Sequence, residues 1–301
     1  MQLDLASRLL TRVVSPTGRP TERRLRETVG GKVILVTGAS HGIGEATARK
    51  LTAAGATVLL VARSRERLEE LQAQYAVLGG SVYVYATDLS HPESVDALAA
   101  RVLEEHEHVD VIISNAGKSI RRSIERSYDR FHDFQRTIGV NYLGPVKLLL
   151  AFLPSMRARR RGHIVNVSTA GVRVPPAPYW AAYQASKAAF DVFLRTAAME
   201  IAADRVKVSS IYMALVHTRM SAPTPSFRSM PGLTPDQAAD LVCKAIVERP
   251  ASITPWWARA VEMGTAVSRR PWELAGSLYS QLTGDTASAA AADEERVPQG
   301  A

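Results

Sequence analysis

Tyr183 and Lys187, in the run Tyr-Gln-Ala-Ser-Lys, stand four residues apart and share one face if the segment is helical. A phenol ordinarily loses its proton near pH ~10, too high for acid–base work at neutral pH. A neighbouring ammonium favours the phenolate and lowers that value. Such a tyrosine can hand a proton to a carbonyl oxygen or take one from an alcohol. Alone the pair is a weak signal, because chance pairs on solvated helices are common. It gains weight from Thr37-Gly38-Ala39-Ser40-His41-Gly42-Ile43-Gly44, far upstream.

Glycines at 38, 42 and 44 let a strand turn sharply into a helix. They let backbone approach a diphosphate whose charge rests on the helix N-terminus. Ser40, His41 and Ile43 lie inside this turn and count with the glycines as candidate cofactor contacts. The end of the next strand selects the dinucleotide, where an acid would bind the ribose hydroxyls of NAD. Here the strand ends Val61-Ala62-Arg63, so NADP(H) is favoured over NAD(H), with Arg63 on the 2′-phosphate. Arg65 and Arg67 follow and read as a solvated helix face. Asp88, followed by Leu89, is placed to bond the adenine amino group or a backbone amide. Asn115-Ala116-Gly117 offers small residues where backbone must pass close to the cofactor.

These motifs need strands that end at one edge, and the hydropathy pattern supplies them. Short apolar runs at 32–37, 56–62, 81–86, 109–114, 162–168 and 206–212 read as buried strands. Periodic stretches at 43–54, 65–78, 92–105, 131–156, 183–203 and 235–248 read as helices, the last capped by Thr234 or Asp236. Apolar strands alternating with helices imply a parallel sheet covered on both faces. Ligands then bind at the carboxyl ends of the strands. Residues 1–29 read as an N-terminal extension with an apolar stripe (Leu3, Leu5, Leu9, Leu10, Val13, Val14) beside Arg8 and Arg12. Residues 30–250 form the catalytic domain. Residues 251–284 read as a helical segment carrying Trp256, Trp257 and Trp272, and 285–301 as a disordered tail.

The chain of 301 residues is 46% hydrophobic and 22% charged, an ordinary globular balance that allows one large α/β domain. Its net charge of +8 points to anionic partners such as phosphates, coenzyme A or lipid headgroups. Nucleic acid is disfavoured, because no recognition helix or aromatic-basic strand motif is present. No zinc-ligand spacing occurs, so no metal is expected. The single cysteine, Cys243, suits a reducing compartment and reads as a buried apolar residue. No apolar run reaches a membrane-spanning length of ~18–20 residues. The protein reads as cytoplasmic, with peripheral membrane contact as an added expectation.

Together the pieces resemble the short-chain dehydrogenase/reductase family over about residues 30–220. The family's Thr-Gly-x3-Gly-x-Gly is matched at 37–44, its Asn-Asn-Ala-Gly at 114–117 with Ser114 for the first Asn, and its Tyr-x3-Lys at 183–187. The resemblance implies a Rossmann-type doubly wound α/β fold and homo-oligomers, as dimers or tetramers. It implies that Asn141 holds a water relaying protons from Lys187, and that Val216 and Thr218 touch the nicotinamide amide and the diphosphate. It also implies a hydroxyl after the fifth strand. Matching strand to strand favours Thr169 over Ser168, whose side chains should point to opposite faces. Met213-Ala214 replaces the family's frequent Pro-Gly.

A narrower resemblance, in Gly117–Arg122, Tyr128–Phe134, Tyr212–Met220 and Leu233–Asp240, is to the bacterial long-chain fatty acyl-CoA reductase branch. It implies an acyl-CoA substrate, with Arg121, Arg122 and Arg126 as partners for coenzyme A phosphates or for structural salt bridges. The three tryptophans would pack the segment or shelter an alkyl chain. The competing readings are a ketone or aldehyde reductase acting on a lipid-like substrate, and a non-catalytic dinucleotide-binding protein.

Overall fold

The computed structural model describes residues 10, 11 and 13–283. The expected tail at 285–301 and most of the stripe at 3–12 lie outside the described residues. Strands β1 (Val33–Thr37), β2 (Thr57–Ala62), β3 (Ser81–Ala86), β4 (Val111–Ser114), β5 (Gly162–Thr169), β6 (Val206–Met213) and β7 (Ser252–Ile253) form one parallel sheet. Their order is β3-β2-β1-β4-β5-β6-β7. The chain thus reverses direction across the sheet between β1 and β4, which leaves a crevice at their carboxyl ends.

Strand alternation sorts the core into two layers. Ile34, Val36, Val58 and Leu60 enter one, with Leu25, Val29, Ala48, Leu51, Leu68, Leu71 and Leu241. Leu35, Leu59 and Val61 enter the other, with Val95, Leu98, Leu148, Phe152, Phe190 and Leu194. Helices α1 (Glu22–Val29), α2 (Gly42–Ala53), α3 (Arg65–Tyr75) and α8 (Pro235–Glu248) therefore cover the first face. Helices α4 (Pro92–His106), α6 (Gly144–Ala158) and α7 (Ala181–Ile201) cover the second. This is the expected doubly wound architecture.

Helix α8 opens on a capping box between Thr234 and Gln237. It is pinned to α2 by Lys50–Asp240 at 2.8 Å and Arg49–Asp236 at 2.5 Å. Cys243 is buried in α8, and burial pushes its thiol up to about 12. This is an inert packing group.

Three features depart from the sequence expectation. Within the N-terminal extension, residues 22–29 form a helix not read from the sequence: Thr21 caps α1, whose Leu25 and Val29 are buried in the core. Two apolar residues at i, i+4 in an otherwise charged octet left too faint a stripe to read. The edge strand β7 has two residues and no periodicity to detect. Finally, the long helix expected at 131–156 is present but interrupted by a π-helical turn, Gly139–Leu143, between α5 (Phe131–Ile138) and α6. Phe131–Ala158 is long and apolar enough to cross a membrane by length and composition, which the count of uninterrupted apolar runs missed; half its apolar window is buried in the fold.

The C-terminal segment carries α9 (Trp256–Val267) and α10 (Arg270–Leu282). The Trp256 and Trp257 indoles donate to the carbonyls of Val13 (2.7 Å) and Val14 (2.6 Å), which ties the two chain extensions together.

Candidate active site

The carboxyl ends of β1 and β4 are stitched by two side chains. Thr37 Oγ1 accepts from the amides of Asn115 (2.9 Å) and Ala116 (3.0 Å) and donates to the Ile113 carbonyl (3.1 Å). Asn115 Nδ2 donates to the carbonyls of Thr37 (3.0 Å) and Gly38 (3.2 Å). Asn115 therefore braces the glycine turn. Gly38 has φ +65°, and a Cβ there would lie 2.9 Å from both Ala116 Cα and Asn115 Nδ2. Gly42 has φ +61° and stands against Thr218. No side-chain cap closes the α2 N-terminus at His41. The first-turn amides of α2 and a cradle without Cβ atoms fit a dinucleotide diphosphate.

Cationic groups ring this cradle. Arg219 donates to His41 Nε2 at 2.7 Å, while His41 Nδ1 meets Ser40 Oγ at 3.1 Å. Burial, then Arg219 and Arg67, hold the imidazole below its ordinary pKa. Arg67 is not the solvated residue the sequence suggested. It reaches the Ser40 carbonyl (3.3 Å), Glu45 (3.0 Å) and Glu70 (2.9 Å), and so fixes the turn from α3. Arg65 does lie on an exposed face, paired with Glu69. Arg63 is exposed at the end of β2. Asp88 accepts from the Ser90 amide (2.9 Å) and hydroxyl (2.7 Å). Burial raises its carboxyl, but those bonds, with Arg63 and His91, hold it below the usual range. Leu89 and Val216 put their side chains in the core, and Ile43 packs against it. These three can offer a ligand little beyond their backbone.

Asn141 sits in the π-helical turn, an arrangement frequent at functional sites. Its side chain is buried and bonded at both ends. Oδ1 accepts from the Lys118 amide (2.8 Å), and Nδ2 donates to the Lys118 carbonyl (2.9 Å) and to Ser186 Oγ (2.9 Å). Gly117 passes over it: a Cβ there would lie 3.2 Å from Asn141 Oδ1 and 3.5 Å from Lys187 Nζ. Lys187 is buried, donates to the Val167 carbonyl at 3.3 Å, and is lowered by burial to about 8.

Tyr183 behaves differently from the sequence expectation. Burial raises its phenol above the ordinary value, and a hydrogen bond with Thr169 opposes that rise. Burial, rather than the neighbouring ammonium, sets the direction of the shift. As expected of neighbours on a strand, the two hydroxyls differ. Thr169 Oγ1 accepts from the Gly171 amide (3.1 Å) beside Tyr183, whereas Ser168 Oγ is buried without a protein partner.

Sequence reading did not assign the contacts that shape the loop between Thr169 and Tyr183, residues 170–182. Gln184 grips it, donating to the Gly171 carbonyl (3.1 Å) and accepting from the Ala177 amide (2.8 Å). Trp180 lies edge-on to the Tyr183 ring at 5.8 Å and stacks on Phe227 at 5.8 Å. Tyr179 adopts φ +71°. Its hydroxyl donates to the carbonyls of Ser280 (3.0 Å) and Thr283, and its ring meets Tyr279 at 6.5 Å. Arg173 pairs with Glu262 of α9 at 2.7 Å and lies over Tyr212. Gln184 lies inside the Tyr183–Lys187 run itself, so its position was visible even though its role was not.

Two of the arginines suggested for coenzyme A phosphates are engaged within the protein. Arg121 stacks on Tyr179 at 4.3 Å, and Arg122 pairs with the buried Asp133 at 3.3 Å. A groove of about 550 Å³ between α6 and α7, lined by Leu150, Phe193 and Ala197 among others, lies more than two helical turns along α7 from Tyr183. It is not part of this site.

Residues 32–228 match the model of the short chain dehydrogenase family. The chain is 45% identical over 247 residues to a fatty acyl-CoA reductase of Acinetobacter baylyi, covering 82% of this chain and 83% of that protein. It is 38% identical over 240 residues to a fatty acyl-CoA reductase of Mycobacterium tuberculosis, covering 80% and 82%. The crystal structure of a metagenomic short-chain oxidoreductase in complex with NADP superposes with a TM-score of 0.66 at 33% identity, covering 75% of this chain and 97% of that one. With the glycine turn, the Tyr183–Lys187 pair and the sheet order all in place, the chain belongs to the short-chain dehydrogenase/reductase family, near its fatty acyl-CoA reductases, and is an NAD(P)-dependent oxidoreductase.

Proposed function

We propose that this protein is an NADPH-dependent reductase of long-chain fatty acyl-CoA thioesters, releasing an aldehyde and free coenzyme A. The observation that carries the reading is the 45% identity to a fatty acyl-CoA reductase over four fifths of both chains, joined to a site built for carbonyl reduction.

A bound nicotinamide supplies the hydride that the carbonyl carbon takes up. Tyr183 donates its proton to the oxygen that gains charge. Its raised pKa suits this direction, because the phenol is protonated at neutral pH and ready to give. Thr169, its oxygen occupied by the Gly171 amide, turns its own proton toward the same point and stabilises charge where it develops. With a thioester the carbonyl then re-forms: the C–S bond breaks, the oxygen returns its proton to Tyr183, and the thiolate leaves and is protonated from water. Lys187, largely protonated at pH 7, faces Gly117 and holds the cofactor ribose. Asn141 shapes that floor by locking Lys118 to α7 through Ser186. Arg63 receives the 2′-phosphate, and β2 itself ends in no acid.

With palmitoyl-CoA, NADPH oxidation should release thiol and aldehyde in equal amounts. Tyr183→Phe should lose about 10²- to 10⁴-fold in turnover with NADPH binding intact. NADPH oxidation on fatty aldehydes or ketones without thiol release would replace this reading with simple carbonyl reduction. Thr169→Ala should abolish most turnover and Ser168→Ala should spare it; the opposite ranking refutes the assignment of the hydroxyl. Arg63→Ala should weaken kcat/KM for NADPH by roughly ten- to a hundredfold while leaving NADH nearly unchanged, the loss expected for a charge-assisted bond. Equal losses with both cofactors would show that Arg63 does not read the phosphate. Because the lysine is lowered to about 8, its charge disappears as pH rises through that value. NADPH affinity, followed by fluorescence, should therefore fall above about pH 8 in the wild type and be low and flat with pH in Lys187→Met. A wild-type affinity that stays level to pH 10 would exclude the role.

A further inference from the structure

Helix α10 docks by one face, as does α9 beyond its first turn, where Trp256 and Trp257 meet Val13 and Val14. From α9, Ala258 is buried and Glu262 pairs with Arg173. From α10, Gly276 lies against Pro178, Tyr279 meets Tyr179, and the Ser280 carbonyl accepts from the Tyr179 hydroxyl. At about 100° per residue, the opposite face of each helix carries its own i, i+4 row. On α9 it is Arg259, Met263, Val267; on α10 it is Arg270, Leu274, Leu278, Leu282. These apolar side chains are bare: Met263 is 70% exposed, Val267 90%, Leu274 63%, Leu278 57% and Leu282 76%. Each row is headed by an exposed arginine.

We propose that α9 and α10 form a docking surface for an anionic phospholipid bilayer. An apolar row with arginine at its end is the pattern by which a surface helix lies in the headgroup layer. The leucines enter the acyl boundary and the guanidinium reaches up to the phosphates. The net charge of +8 complements an anionic leaflet. The surface is held to the loop between Thr169 and Tyr183, so docking there brings the membrane beside the catalytic cleft. The inference stands apart from the choice of substrate.

The test uses full-length protein and flotation with vesicles of phosphatidylcholine, alone or mixed with phosphatidylglycerol. The wild type should float with the anionic vesicles and detach as salt is raised. A variant carrying Leu274→Ser, Leu278→Ser and Leu282→Ser should lose at least about tenfold in vesicle affinity. Arg270→Glu should lose roughly fivefold or more and show a weaker salt dependence. Both should keep the wild type's NADPH binding, followed by fluorescence, and its thermal midpoint, which shows that the fold and cofactor cleft are intact. Failure of the wild type to bind anionic vesicles overturns the proposal. So does unchanged binding by the leucine variant, which would place the contact elsewhere in the chain. So does a change in oligomeric state on sedimentation without vesicle binding, which would make the surface an interface between copies.

Discussion

Everything at this site depends on how closely β1 and β4 can be brought together where the sheet reverses direction. Two polar side chains, Thr37 and Asn115, satisfy the backbone groups that the glycine turn leaves without ladder partners. A buried backbone donor or acceptor left unpaired would cost about as much as a lost hydrogen bond. The clamp therefore decides whether the turn can be buried at all. Once it closes, no side chain fits at Gly38, and the crevice that remains has the shape of a diphosphate rather than of a packed core.

A second constraint follows from dryness. Lys187 is buried and Tyr183 partly so, and desolvation moves their affinities in opposite directions, the phenol up and the ammonium down to about 8. The pair is therefore poised with the acid loaded, while the lysine keeps most of its charge at pH 7 and sheds it as pH rises through about 8. A motif by itself predicts attraction between an ammonium and a phenolate. The folded site shows that the surroundings outweigh that attraction and leave the proton on the oxygen that must deliver it.

The fold was largely legible because each strand is a short apolar run that ends at a motif. The six strands anticipated all exist, and α8 runs over the residues expected of it. The site was legible wherever chemistry demands a residue type at a fixed spacing: the glycines, Tyr183, Lys187 and the two candidate hydroxyls. What stayed hidden has no periodic signature. Gln184, through two hydrogen bonds, and Ser186, through its bond to Asn141, act on partners set by tertiary approach. The binding partner of Arg67 lies across the glycine turn, so a helix-surface reading could not find it. Helix α1 and strand β7 are short elements whose existence is decided by packing rather than by propensity.

Tyr179 has a consequence that reaches past its contacts. A bulky residue at φ +71° is held in a conformation it would not choose, and it survives because α10, Arg121 and the Arg122 amide all grip it. The next residue, Trp180, touches the reacting phenol. The seating of the C-terminal helix and the placement of Trp180 are thus two ends of one short lever. A partner that bound α10 differently with the cleft filled and empty would, by linkage, change the cleft's affinity for its ligand by the same factor that the ligand returns to it. In this chain, information about what lies outside the protein would travel to the proton donor through four residues of backbone.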